Sequence, residues 1–198
     1  MRKLSLFAVA VMCATVVAYG STVKYEDIAK CRAANGAIYG VRSMADGEHF
    51  TIIEGKRVVR CSYADRKDSL VVFEGDFRIG SYSFSTDEKQ ILLSDARSVK
   101  PIYRHSATAD YYLAKVGGKA QKVLEQVRDV AFSPDNKSLV YSKENNLYLY
   151  DIASAESKAV TSDGEWNKII NGTSDWVYEE EYGFTKGYAV SPDGAKIA

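Results

Sequence analysis

Phe132-Ser133-Pro134-Asp135-Asn136 is the stretch from which the fold can be read. An apolar residue enters it, and the strand-like Ser138-Leu139-Val140-Tyr141 leaves it. Proline presets φ for the first central position of a turn, and Asp and Asn bend the chain back through local side-chain bonds. The segment therefore predicts a tight reversal between two strands. Related turns stand at Ser43-Met44-Ala45-Asp46-Gly47, Phe84-Ser85-Thr86-Asp87-Glu88 and Val190-Ser191-Pro192-Asp193-Gly194. Successive aspartates of the four, Asp46, Asp87, Asp135 and Asp193, are 41, 48 and 58 residues apart. Apolar segments follow, at Gln90-Ile91-Leu92-Leu93 and at Ala195-Lys196-Ile197-Ala198.

Between these turns, Val127–Phe132 and Asn146–Asp151 partly alternate apolar with polar residues, as half-buried strands do. Gly117-Gly118 and Asn145-Asn146 offer further reversals. A period of roughly 40 to 50 residues, holding about four strands, is the signature of a propeller blade. The expectation is an all-β chain: a partial β-propeller of about four blades, each an antiparallel four-stranded sheet. Lys196-Ile197-Ala198 stand just past the last turn, where a strand has only begun. An abandoned strand exposes an unpaired edge, so residues 22–198 are expected to be an incomplete N-terminal propeller domain, with further blades beyond.

Composition agrees with a globular domain. Of 198 residues, 46% are hydrophobic, and 26 basic side chains balance 26 acidic ones. Zero net charge without a basic run argues against nucleic-acid binding, which needs cations to displace phosphate counterions. Arg2 and Lys3 precede an apolar run from Leu4 to Ala18, with small residues at Ala18, Gly20 and Ser21. That is the pattern of a removable signal peptide, residues 1–21. The run is shorter than the roughly 20 apolar residues of a membrane span. The mature chain is expected in a periplasm or outside the cell, with no membrane contact once the signal is removed. Cys31 and Cys61 are a candidate disulfide in that oxidising setting; the alternative is two small buried apolar residues. His49 and His105 are the only histidines, no metal-ligand spacing occurs, and no cofactor is implied.

The longest of the three spacings contains Asn171-Gly172-Thr173-Ser174-Asp175-Trp176-Val177-Tyr178-Glu179-Glu180-Glu181. Three adjacent carboxylates repel one another unless they are solvated or face a cation. By themselves they read as a solvated acidic turn; where they interrupt the blade rhythm they suggest a projecting insertion, a common place for ligand-binding residues. The run Asp175 to Glu181, followed by an aromatic stretch and a Ser-Pro-Asp turn, resembles the signature of dipeptidyl peptidase IV-type serine exopeptidases. Tyr103-Arg104-His105-Ser106 resembles the family's Trp-Arg-His-Ser segment, with tyrosine in place of tryptophan. The likeness runs from about Asp76 to Ala198 and is looser over residues 22–75.

The resemblance implies a short helical insertion on which Glu180 and Glu181 bind the free α-ammonium of a peptide substrate, while Arg104 contacts the substrate's backbone carbonyl. An ammonium has three donors and no acceptor, so two carboxylates can share it. Holding it fixed makes the pair a ruler: only the second peptide bond reaches the nucleophile, and dipeptides leave. Glu179 reads as structural, capping or facing an Arg or Lys elsewhere, and His105 as a packing residue that helps set the arginine loop. No Gly-x-Ser-x-Gly elbow occurs in the sequence. The family carries its Ser/Asp/His triad in a C-terminal α/β-hydrolase domain, so this chain alone is expected to be inactive. The implied partners are a peptide with a free N-terminus and that hydrolase domain; a homo-oligomer of the full-length parent is compatible with the sequence. The alternative is a non-catalytic periplasmic propeller that serves as an interaction module, which accounts for the repeats but not for the glutamates and the arginine loop together.

Overall fold

The computed structural model describes residues 39–65 and 67–198. The expected signal segment and Cys31 lie outside the described residues; Cys61 is buried. The first blade is an antiparallel sheet of β1 (Tyr39–Ser43), β2 (His49–Glu54), β3 (Arg57–Ser62) and β4 (Ser69–Glu74), hydrogen-bonded in that order. The second contains β5 (Ile79–Phe84), β6 (Gln90–Asp95), β8 (Ala107–Lys115) and the first part of β9 (Gln121–Phe132). A two-residue strand, β7 (Lys100–Pro101), pairs with the start of β8. The third blade takes the rest of β9, then β10 (Ser138–Lys143), β11 (Asn146–Asp151) and β12 (Glu156–Ala159). A fourth begins at Tyr188, where Val190 bridges Ile197 across the last Ser-Pro-Asp turn.

One strand thus serves two blades. Residues 121–127 of β9 pair with β8, and residues 128–132 pair with β10. Gln126 and Asp129 flank the changeover with φ of 50° and 53°, a left-handed backbone uncommon for side chains that are not glycine. Side-chain bonds hold both. The Gln126 amide donates to the Ser98 carbonyl at 2.9 Å, and Arg128 Nε donates to Asp129 Oδ2 at 2.7 Å.

The core lies between blades. Val58, Val72 and Phe73 of the first blade meet Phe77, Ile79, Tyr82, Ile91 and Leu93 of the second. Leu92 and Leu124 meet Leu139, Tyr141 and Tyr150 of the third. Val140 and Leu147 meet Tyr188 of the fourth. Successive strand side chains point to opposite faces, so Ile91 and Leu93 enter one layer while Leu92 enters the next. Inner strands buried on both faces read as continuous apolar runs, which is why the alternation in the sequence is only partial.

The repeated turn is one hydrogen-bond network built three times. Ser85, Ser133 and Ser191 each donate their hydroxyl to Asp87, Asp135 and Asp193, at 2.7, 2.6 and 2.6 Å. Each serine hydroxyl also accepts the N–H of Gln90, Ser138 or Lys196. The first blade departs from this pattern. Met44 makes the backbone bonds of the turn, and the Asp46 carboxylate is held instead by His49 Nδ1 at 2.7 Å. The reversal read at Asn145-Asn146 is centred one residue earlier, on Glu144 and Asn145, both left-handed.

Candidate functional site

The site rests on two projections. The first is the turn between β7 and β8, where the Ile102 and Tyr103 N–H groups both donate to the Ser106 carbonyl, at 2.9 and 3.3 Å. This reversal leaves Arg104 and His105 at its tip. The second is a stem of two short strands, β13 (Gly172–Thr173) and β14 (Lys186–Gly187), which carries the helix α1 (Trp176–Tyr182). Asp175 caps the helix by accepting the Tyr178 N–H at 3.0 Å, and Gly183, at φ 70°, closes it by donating to the Glu179 carbonyl.

The three glutamates of the helix take three environments. Glu179 is fully buried, at 0% exposure. Its Oε1 accepts the His105 backbone N–H at 2.8 Å, and its Oε2 lies 3.9 Å from Arg128 Nη2. Glu180 is partly buried, with Oε2 3.9 Å from both Arg104 Nη1 and His105 Nε2. Glu181 is exposed. Of the three residues assigned to substrate binding from sequence, Arg104 and Glu180 are therefore brought together, and Glu181 follows Glu180 on the outer side of the helix. At 3.9 Å the Arg104–Glu180 contact is an ion pair beyond hydrogen-bond length, and with the arginine side chain 76% exposed it contributes little to stability. Arg104 and Glu180 are consequently available to a third group.

Residues that the sequence reading passed over form the seat. Arg128 is buried at the changeover of β9. Asp129, beside it, accepts the Thr185 hydroxyl at 2.6 Å and ties the third blade to the chain leaving the helix. The Tyr188 hydroxyl is within hydrogen-bond distance of the Asp129 and Val140 carbonyls. Burial, reinforced by the Asp129 charge, pushes the Tyr111 phenol up to about 12 and raises that of Tyr188 as well. Next to the arginine loop lies a cavity of about 390 Å³ lined by Tyr103, Arg128, Trp166 and Trp176, with the Tyr103 and Trp166 rings stacked 6.0 Å apart. Arg128 and Asp129 carry no motif, and only their position before the Ser-Pro-Asp turn could have drawn attention to them.

Residues 85–198 match the family model of the dipeptidyl peptidase IV N-terminal region. The chain is 31% identical over 145 residues to dipeptidyl aminopeptidase B of Saccharomyces cerevisiae, covering 68% of this chain and 17% of that one. It is 35% identical over 112 residues to dipeptidyl peptidase 4 of Felis catus, covering 54% of this chain and 14% of that one. The crystal structure of Porphyromonas gingivalis dipeptidyl peptidase 4 superposes with a TM-score of 0.75 at 30% identity, over 88% of this chain and 27% of that chain. The chain thus spans less than a fifth of the length of the curated relatives it matches. The chain belongs to the dipeptidyl peptidase IV family, of which it represents part of the N-terminal region.

Proposed function

We propose that this chain is the substrate-recognising portion of an exported serine dipeptidyl peptidase, in which Glu180 and Glu181 bind the free α-ammonium of a peptide and Arg104 takes a backbone carbonyl. The observation that carries the reading is the meeting of Arg104 and Glu180 at 3.9 Å, from a loop and a helix far apart in sequence. An incoming ammonium offers three donors, which the adjacent carboxylates accept, and the exposed guanidinium of Arg104 supplies donors to the carbonyl. An acylated N-terminus lacks both the charge and the donors, so the same site rejects it. The hydrolytic triad belongs to a C-terminal hydrolase domain of the full-length product, which releases N-terminal dipeptides. Export to the periplasm or beyond follows from the apolar leader, and sequencing the mature protein tests it: the first residue should lie near position 22.

The decisive experiment uses the full-length gene product and a dipeptidyl chromogenic substrate with a free N-terminus. Glu180→Ala combined with Glu181→Ala should lower kcat/KM by about a hundredfold or more, the scale set by leaving a bound charge unpaired. Unchanged kcat/KM overturns the assignment.

A further inference from the structure

The recognition helix is not held down by an apolar face. Trp176, Val177, Tyr178 and Tyr182 are all half-exposed or more, and Glu179 is the residue of the helix that is buried. A helix of seven residues has little stability of its own, so its seat decides where its side chains stand. That seat is a carboxylate, and a buried carboxylate is costly unless a counter-charge or donors compensate it. Among the described residues Arg128 is the one cation within 4.0 Å of it. Arg128 Nη2 and Glu179 Oε2 are both buried and make no hydrogen bond, so each has the other as its facing charge.

The second oxygen of the same carboxylate holds the His105 N–H. Glu179 therefore grips the residue after Arg104 and is itself the residue before Glu180. One buried side chain sets the neighbours of both groups assigned to the substrate. Arg128 is in turn fixed by Asp129 at the bulge of β9, an element of the blade rather than of the projection.

We infer that Arg128 is a positioning residue for the ammonium site: through Glu179 it orients Glu180 and Arg104 without touching the peptide. This rests on the function proposed above. In the full-length gene product, Arg128→Met should raise KM for a free-N-terminus dipeptidyl substrate about tenfold while kcat changes less than about threefold, the split expected when binding rather than chemistry is lost. Glu179→Gln keeps an oxygen for the His105 N–H but removes the charge that faces Arg128, and should raise KM by about fivefold or more. The double variant Arg128→Met/Glu179→Gln, which removes the Glu179 charge that Arg128→Met leaves facing no cation while Asp129 keeps the Thr185 hydroxyl, should recover most of the KM lost by Arg128→Met alone. Independent contributions of Arg128 and Glu179 predict additive losses, so a double variant no better than Arg128→Met overturns the inference. So does an unchanged KM in either single variant, and Glu179→Gln decides alone if Arg128→Met does not fold. If Glu180→Ala/Glu181→Ala impairs turnover while Arg128→Met leaves KM unchanged, only this inference fails; if the glutamate variant is also unaffected, the ammonium site itself falls.

Discussion

Thr86 and Asn136 join neighbouring blades: Asn136 Oδ1 accepts the Thr86 N–H at 2.8 Å and the Thr86 hydroxyl at 3.0 Å, and Asn136 Nδ2 is 2.7 Å from Thr86 Oγ1. Both belong to the repeated turn, and the same two positions meet elsewhere. The Ala45 N–H donates to Glu88 Oε1 at 2.8 Å between the first and second blades. Between the third and fourth the corresponding residues are Pro134, which has no N–H, and Gly194, which has no side chain. Donor and acceptor are lost together there. The second member of each pair, Glu88, Asn136 or Gly194, is left-handed, with φ of 55°, 60° and 73°.

Asn136→Ala removes the inter-blade bonds and places a β-carbon in a left-handed backbone. It should destabilise the chain by about 1–2 kcal/mol in denaturant melts. Asn136→Gly loses the bonds but accepts the backbone conformation, and should cost about half as much. Equal losses would show that the backbone conformation adds nothing.

Acid should weaken the turns. The Ser85, Ser133 and Ser191 hydroxyls hold the carboxyls of Asp87, Asp135 and Asp193 below the ordinary value of 3.8, and the Glu48 N–H followed by His49 does so for Asp46. A carboxyl more acidic in the folded state contributes stability in full above its unfolded value and loses it as pH falls through the folded one. Circular dichroism should show stability declining below pH 3.8, the ordinary value of these groups. Asp135→Asn should make that decline shallower, and an identical acid profile in the variant contradicts the network.

Alkali should act through the tyrosines behind the site. Tyr111 and Tyr188 keep their protons in the folded chain at pH values where an unfolded chain, with phenols near 10.0, has lost them. Folded protein then binds more protons than unfolded, and stability falls as pH rises above 10.0. The phenolate absorbance steps of Tyr111 and Tyr188 should appear only with alkaline unfolding. Tyr188→Phe should remove one of them and cost about 1 kcal/mol at neutral pH through its lost hydrogen bond.

Asp175→Ala removes the helix cap. The expected loss is about 1 kcal/mol, confined to the insertion. Hydrogen exchange of the amides of residues 176–182 should accelerate while those of β10 keep their protection. Uniform acceleration would mean that the helix and the blades open as one unit.

The turns were legible in the sequence because each depends on residues two to five positions apart; the helix, whose caps are equally local, was read only through the resemblance. Ser133 finds Asp135, and Asp175 finds Tyr178, whatever the rest of the chain does. The pairing of Arg104 with the glutamate run was legible only as a resemblance. Glu179 was set apart as structural in the sequence, but which cation faces it, where Arg128 stands and how β9 passes from one blade to the next were decided by tertiary structure alone. Those choices depend on partners distant in the chain, such as His105 and Glu179, 74 positions apart, and on the cost of burying charge, which exists only once the blades have closed around it.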